Sequence, residues 1–304
     1  MDKLHLMTVF VAVAEEESFA GGARRLSMSP PAITRAIAAL EARLRVKLLD
    51  RTTRYVRVTE AGQRYLDDAR RIIAEVEEAD DAVVGINAEP KGQLTITAPV
   101  LFGSMFVTPL MVRYLARYPE MKISALFLDR VVNLIEEGVD VGIRIGPLPD
   151  SSIKSLKVGS IRRVLCASPG YLETYGVPKH PKELALRQTI AANIVNTSVE
   201  WKFLEKNNPL SVRTKPRLVV TSYDAAIEAA KSGFGIARLM SYQIAPHLAA
   251  GDLKIILNKF ELDPVPIHIV HREDRHKSAR VRTFVDMMSE GLRHAVKEHN
   301  NALA

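Results

Sequence analysis

Two stretches of helical periodicity, separated by a pair of prolines, stand out in the first fifty positions. Apolar residues of the second stretch recur at spacings of four, three and four: Ile33, Ile37, Leu40 and Leu44. This spacing places them on one stripe of a helix. Ser29 is suited to cap that helix, with Pro30 and Pro31 in its first two positions, because the first turn needs no N–H donors. The preceding helix ends near Leu26, so the pattern predicts two helices joined by a tight turn.

The other face of the second helix is small and polar and carries Pro31, Thr34, Arg35 and Ala38. Such a face can enter a DNA major groove, where arginine pairs with guanine edges and threonine touches a base or a methyl group. Between residues 20 and 66, ten Lys or Arg stand against three acids. This excess favours a surface that faces phosphates. Taken alone, the two helices would also fit a fragment of an ordinary helical bundle.

Residues 48–62, LLDRTTRYVRVTEAG, change from helical to alternating periodicity. Val56 and Val58 alternate with polar neighbours after a Thr-Thr turn, and this predicts a two-stranded wing. Arg54 at the tip of the wing is placed to reach a minor groove. The segment as a whole therefore predicts a DNA-reading module.

The run FVAVAEEESFAGGARRLSMSPPAITRAIAALEARLRVKLLDRTTRYVRVTEAG resembles the winged helix-turn-helix of the LysR-type transcriptional regulators, without a gap over roughly residues 2–62. Later segments (APVLFGSMFVTPLM, DVGIRIG, VLCASPGYL and FVDMM) resemble the same family. The resemblance implies an α+β chain of three parts: a DNA-binding domain at 1–60, a linker helix and hinge at 61–90, and a two-lobed α/β effector domain at 91–304 like a periplasmic binding protein.

The same resemblance implies a regulator that binds promoter DNA as a homodimer or homotetramer and responds to a small-molecule effector. RNA polymerase is a further candidate partner. The residues expected to face DNA are Arg24, Ser29, Pro30, Pro31, Thr34, Arg35, Arg51 and Arg54. A DNA-binding regulator or architectural protein whose effector domain no longer binds ligand is the alternative.

Beyond the wing, apolar residues follow an a/d heptad spacing at Tyr65, Ala69, Ile72, Val76, Ala79, Val83 and Ile86. So narrow a stripe on so long a helix is typical of a seam between two copies of the chain. The prediction is a helix without a core of its own to pack on, and hence at least a dimer. The alternative is a long amphipathic helix that lies on its own domain.

Residues 91–304 alternate between strand and helix patterns. The first set of strands lies at 94–98, 122–128 and 140–145, with helices at 104–118 and 131–137. A second set follows at 217–240, residues 265–271 return as a strand, and a helix runs from 278 to about 297. Strands separated by helices predict parallel or mixed sheets, and two such units in series predict two lobes.

Ligands of open α/β sheets bind beyond the carboxyl ends of the strands, which selects candidate effector contacts. These are Pro99, Val100, Phe102, Ser104, Asp129, Arg144, Thr197, Ser222 and Arg238. Ser104 is expected to begin a helix whose free N–H groups favour an anion, and Asn196-Thr197 to open another. Arg144 and Arg238 would favour a small organic anion between the lobes. Alternatively, either arginine is solvated or held in a surface salt bridge.

Several classes of protein are not expected. No apolar run reaches eighteen residues and the N-terminus shows no signal-peptide pattern, so a cytoplasmic protein without a membrane span is predicted. The single cysteine, Cys166, excludes an internal disulfide and reads as a buried thiol. The eight histidines show no zinc-ligand spacing, and no nucleophile elbow, Walker loop or dinucleotide fingerprint occurs. Neither an enzyme nor a metal or cofactor is expected.

Overall fold

The computed structural model describes residues 2–51, 56–84, 89–148, 153–192, 199–272 and 278–303. The chain divides into two compact units, Met1–Ala88 and Glu89–Ala304. Each unit has its own apolar core and is described by itself.

The first unit is a helix-turn-helix with a wing and a long helix. Its helices are α1 (Lys3–Glu15), α2 (Phe19–Arg25), α3 (Pro30–Leu44) and α4 (Glu60–Val84), and its strands are β1 (Leu49–Arg51) and β2 (Val56–Val58). The two strands pair antiparallel, as the alternation predicted. Ile33, Ile37 and Leu40 are fully buried beside Phe10, so the predicted stripe of α3 faces the core.

The first half of α4 packs against α1 of the same chain. Ala69 is fully buried there, Ile72 lies against the same core, and the ring of Tyr65 lies 5.5 Å from that of Phe10. The prediction that this helix lacks a core of its own is therefore wrong for Tyr65, Ala69 and Ile72. Val76 is 37% exposed. The side chains of Ala79 and Val83, and all of Ile86, lie outside the described residues.

The second unit begins with a five-stranded mixed sheet. Its strand order is β4-β3-β5-β14-β6, with β3 at Gly92–Ala98, β4 at Met121–Phe127, β5 at Val141–Ile145, β6 at Ile153–Ile161 and β14 at Val265–Arg272. The strands β4, β3 and β5 run parallel, whereas β14 runs antiparallel to both of its neighbours. A helical segment packs on this sheet together with α10 (Ala279–Ala302).

A second five-stranded sheet has the order β11-β8-β12-β7-β13. Its strands are β7 (Arg163–Ala167), β8 (Thr189–Ala192), β11 (Leu218–Val220), β12 (Ile236–Met240) and β13 (Lys254–Ile256). The chain adds a hairpin of β9 (Val199–Glu205) and β10 (Asn208–Thr214), and the helices α7 (Pro169–Tyr175), α8 (Tyr223–Lys231) and α9 (Ser241–Ala249). The chain enters this lobe after Ile161 and returns to the first sheet at Val265, which confirms two lobes joined by two crossings.

Three helix predictions fail in this unit. Residues 131–137 form an extended stretch and a turn, because the Asn133 side chain accepts from the Ile135 N–H and the Glu137 carboxylate binds Arg130 and the Asn133 N–H. The helix expected from Ser104 begins at Val100 instead. Asn196 and Thr197 lie outside the described residues, and the chain that follows them is strand β9.

Candidate DNA-binding face and effector pocket

The exposed face of α3 is held by contacts within the helix itself. Thr34 Oγ1 donates to the Pro30 carbonyl at 3.0 Å, and Arg35 Nε donates to the Pro31 carbonyl at 3.4 Å. Ser29 occupies the N-cap position, but its side chain makes no capping hydrogen bond, because Pro31 has no N–H and the Ala32 N–H donates to the Ser29 carbonyl at 2.9 Å instead. Pro31, Thr34 and Arg35 are all exposed, so the sequence prediction for this face agrees with the structure.

The arginines of the first unit fall into two groups. Arg25 and Arg70 both bind Glu15, at 2.6 Å and 2.9 Å, and so tie α2 and α4 to α1. Burial raises the pKa of Glu15, but the two arginines outweigh it and hold that pKa below its usual value. Arg24 and Arg35 are exposed, as Arg25 and Arg70 are, but within the described residues they form no ion pair. The side chain of Arg51 and all of Arg54 lie outside the described residues, so their DNA contacts stay predictions.

Glu41 is a buried carboxylate whose role sequence reasoning missed. It is 4% exposed, and its Oε1 accepts from the Leu48 N–H at 3.0 Å and from the Leu49 N–H at 3.2 Å. Lys47 Nζ donates to the other oxygen at 2.8 Å. Burial raises the pKa of Glu41, but these hydrogen bonds together lower it below its usual value. Glu41 thus fastens α3 to the base of the wing, and the cue for this role was an acid inside an otherwise basic segment.

A cavity of about 250 Å³ lies in the second lobe, at the carboxyl ends of β8 and β12. It is lined by Arg163, Ile190, Ala191, Ala192, Val199, Glu200, Trp201, Tyr223, Arg238, Leu239 and Met240. The position agrees with the rule that ligands bind beyond the carboxyl ends of parallel strands.

Arg238 lines this cavity, and its guanidinium is held by two neighbours that are not among the lining residues. Its Nη2 donates to the Lys202 carbonyl at 2.8 Å, and its guanidinium carbon lies 5.4 Å from the centre of the Phe203 ring. Burial, with a smaller contribution from the positive charge of Arg163, lowers the pKa of Arg238 to about 10. Within the described residues, no carboxylate forms a salt bridge with Arg238.

Two family profiles match the chain. Residues 4–63 match "Bacterial regulatory helix-turn-helix protein, lysR family", and residues 87–293 match "LysR substrate binding domain". The chain belongs to the LysR family of transcriptional regulators. It is therefore a DNA-binding transcriptional regulator whose second unit is an effector-binding domain.

Relatives of this LysR-family regulator match it over most of its length. An uncharacterized HTH-type transcriptional regulator of Haemophilus influenzae is 32% identical over 92% of this chain and 98% of the relative. The HTH-type transcriptional regulator CrgA of Neisseria meningitidis is 31% identical, over 94% and 96%. A solved structure of CrgA is similar with a TM-score of 0.60 at 31% identity, and covers 95% of this chain and 98% of that one. The full-length Vibrio cholerae virulence activator AphB has a TM-score of 0.61 at 25% identity, over 94% and 98%.

Of the predicted effector contacts that the structure describes in this LysR-family chain, Arg238 lines the cavity and the others lie outside it, whereas Thr197 is outside the described residues. Phe102 is fully buried in the core of the first lobe, 5.3 Å from the ring of Tyr242, so it cannot line an open cleft. Val100, next to Pro99, is 36% exposed. Ser222 caps α8 by accepting from the Ala225 N–H at 3.1 Å.

The helix start that was expected to attract an anion already holds a carboxylate. The helical segment begins as α5 (Val100–Phe102), passes through a π-helical turn at Gly103–Val107 and continues as α6 (Thr108–Arg117). Asp129 Oδ1 accepts from the Val100 N–H at 3.1 Å. Burial raises the pKa of Asp129, although that hydrogen bond opposes the shift. Ser104 lies within the π-helical turn and not at a helix terminus, so the predicted helix start there is wrong, and its contact with an effector stays a prediction.

Arg144 forms a hydrogen bond within the first lobe. Its guanidinium donates to the Val132 carbonyl, on the face of β5 opposite to the buried Val141 and Ile143. Burial lowers the pKa of Arg144. Arg144 does not line the second-lobe cavity, and its contact with an effector elsewhere stays a prediction.

Sequence reasoning overlooked Arg163 and Trp201, which also line the cavity. Trp201 is the single tryptophan of the chain, and that is the one signal that could have drawn attention to it. Among the residues that the structure describes, no group of three His, Cys, Asp or Glu side chains is arranged to hold a metal ion. No helix in the described part of the chain is long and apolar enough to span a membrane.

Proposed function

We propose that this regulator reads promoter DNA with the exposed face of α3, in the cytoplasm and as a homodimer or homotetramer. Thr34 and Arg35 are assigned to base edges in the major groove, and Arg24, Ser29, Pro30 and Pro31 to the adjoining backbone. The exposure of this face, opposite the buried stripe of Ile33, Ile37 and Leu40, is the observation that carries the proposal. Arg51 and Arg54 extend the contact into the wing.

We further propose that the effector is a small organic anion. The domain from Lys91 onward carries 29 basic against 20 acidic residues, which gives an anion a mild long-range attraction. Arginine at the cavity supplies charged donors of the kind that bind carboxylates. The effector changes DNA binding only to the extent that it binds one arrangement of the protein more tightly than another.

The exposed Val76 supports self-association through the second half of α4. A symmetric dimer would present two recognition helices to a dyad-symmetric operator. RNA polymerase is a further partner in this proposal, since a regulator bound at a promoter lies beside it.

Substitution of Arg35 tests the DNA-binding orientation. Arg35→Ala is expected to cost about 1–3 kcal/mol of binding free energy and to relax base preference at one position of each half-site. Arg43→Ala is the matched control, because Arg43 is an exposed arginine in the last turn of the same helix. It should weaken binding evenly across sequences. Footprinting at fixed salt on DNA that co-purifies with the protein measures both, and unchanged base preference in Arg35→Ala would contradict the orientation.

A further inference from the structure

One carboxylate connects three helices of the first unit. Glu15, the last residue of α1, accepts from Arg25 Nη1 of α2 through Oε2 at 2.6 Å. Its other oxygen, Oε1, accepts from Arg70 Nε of α4 at 2.9 Å. Each oxygen of the carboxylate therefore binds one arginine, and α2 and α4 are linked through a single side chain of α1.

Helix α1 itself gains no stability from an acid at this position. The C-terminal end of a helix carries partial negative charge, so a carboxylate in the last turn is unfavourable for that helix. The sequence nonetheless places Glu15, Glu16 and Glu17 in succession there. The Glu15 side chain lies between the two arginines and is only 25% exposed. Its tertiary contacts, and not the helix that carries it, explain why an acid stands at this position.

The remaining contact between α4 and α1 is apolar. Leu66 and Ala69 are buried against the core of the first unit, and Tyr65 lies beside Phe10. Apolar burial holds the two helices together, but it is non-directional and resists a change of angle less well than a charged hydrogen bond does. Arg70 follows Ala69 at the border of this apolar strip, and among the described residues Glu15 is its one ion-pair partner. The bond between Arg70 and Glu15 therefore helps to determine the angle at which α4 leaves α1.

A change in that angle is magnified along α4. From Arg70 to Val84 the helix extends about 21 Å, at about 1.5 Å per residue. A rotation of about 10° at Arg70 moves the far end by about 3.5 Å, close to the separation of about 3.4 Å between successive base pairs. In a dimer joined through the second half of α4, each recognition helix α3 would shift along the operator by up to about one base pair.

We propose that Glu15 is a positioning residue that sets the half-site spacing accepted by this regulator, because its bonds to Arg25 and Arg70 fix α4 relative to α2. This role rests on the proposed function, in that α3 reads the half-sites and α4 joins the protomers. Glu15 itself contacts no DNA in the proposal. Its loss should leave recognition of a single half-site intact and widen the range of spacings that the dimer accepts.

Binding of the full-length protein to a series of DNA duplexes tests the proposal. Each duplex carries the two half-sites that wild-type protein protects in footprinting, with one or two base pairs inserted or removed between them. An exposed ion pair changes an equilibrium constant by about two- to fivefold, and a dimer holds two copies of it. The loss of affinity caused by a one-base-pair change in spacing should therefore shrink by about four- to twenty-five-fold in Glu15→Ala and in Arg70→Gln.

Arg71→Gln is the matched control, because Arg71 is the next residue of α4 and is similarly exposed, but it binds Asp68 of the same helix at 2.7 Å. Its spacing profile should equal that of the wild type. Arg70→Lys keeps the charge and should retain most of the spacing preference. A duplex with one half-site separates positioning from general damage, since every variant should bind it with wild-type affinity. If Glu15→Ala fails to fold, Arg70→Gln decides the matter, because the Arg70 side chain is 46% exposed.

The proposal is overturned if Arg70→Gln keeps the wild-type spacing profile, or if Arg71→Gln widens the profile equally. It is also overturned if Arg70→Gln weakens binding to one half-site as much as binding to two. Sequence-specific footprints with a spacing profile that no variant changes would refute the role of Glu15 and leave the proposed function intact. A wild-type protein that protects no specific sequence would refute the proposed function itself, and this role of Glu15 with it.

Discussion

Glu41 should account for a large share of the stability of the wing. Glu41→Ala removes the acceptor of the Leu48 and Leu49 N–H groups, both of which belong to residues 2% exposed. A buried donor left without a partner costs about 1–3 kcal/mol, so the two donors together cost about 2–6 kcal/mol. Glu41→Gln keeps a carbonyl oxygen that can accept both bonds, but it loses the charge and replaces the oxygen that accepts from Lys47 with an NH2 donor, a loss of about 1–3 kcal/mol in all.

Lys47→Met is the control for the ion pair. The Lys47 side chain is 75% exposed, so its bond to Glu41 contributes less than about 1 kcal/mol. The expected order of destabilisation is therefore Glu41→Ala, then Glu41→Gln, then Lys47→Met. Hydrogen exchange of the full-length chain, followed by mass spectrometry on peptides that cover Leu48 and Leu49, reports the local opening. Exchange should be at least tenfold faster in Glu41→Ala, and equal rates in Glu41→Ala and Lys47→Met would refute the reasoning.

The stabilisation of the wing by Glu41 should weaken as the pH falls. The pKa of Glu41 is lower in the folded protein than its unfolded value of about 4.5. Its contribution to stability is therefore complete above the unfolded pKa and is lost as the pH falls through the folded-state pKa. Wild-type protection at Leu48 and Leu49 should therefore fall in acid. Glu41→Gln should lack this particular dependence.

Three further outcomes are expected. Ala69→Asp should unfold the first unit, because Ala69 is fully buried in it. Val76→Asp should keep the fold and weaken self-association, as measured by sedimentation. If Val76→Asp self-associates like the wild type, α4 is not part of the interface. Gly103→Ala would place a Cβ 2.5 Å from the ring of Phe127 and should cost about 1–3 kcal/mol of stability, as measured by thermal unfolding. Gly170→Ala is the control: there is open space around the new Cβ, so its stability should change by less than about 0.5 kcal/mol. Burial raises the pKa of Cys166 to about 12, so iodoacetamide should leave the native thiol unmodified at pH 8 and react after unfolding; rapid native labelling would contradict its burial.

The elements that the sequence predicted correctly are those determined by residues close together in the chain. The start of α3 at Pro30 follows from the two prolines, which fit the first turn of a helix, and the buried stripe of Ile33, Ile37 and Leu40 follows from helical period. The strand patterns at residues 94–98 and 217–222 likewise depend on neighbours in the chain. These elements appear in the structure close to the predicted bounds.

The failures arise where distant contacts decide between equivalent local patterns. A heptad stripe at Tyr65 and Ala69 fits a second chain or the chain's own α1 equally well, and the contact with Phe10 lies 55 residues away in sequence. The π-helical turn after Phe102 adds a residue to one turn, which conceals where the helix starts. Strand alternation places Arg144 and Arg238 on a face but does not say what covers that face.

The two crossings between the lobes also determine the order in which the protein can be completed on the ribosome. Strand β14 is made last of the strands in its sheet, yet it lies between β5 and β6, which precede the whole second lobe. A nascent chain that has finished the second lobe therefore still exposes the unpaired edges of β5 and β6, and such edges promote aggregation. Translation that stops before residue 265 would leave a second lobe with all of its strands beside a first lobe that cannot close.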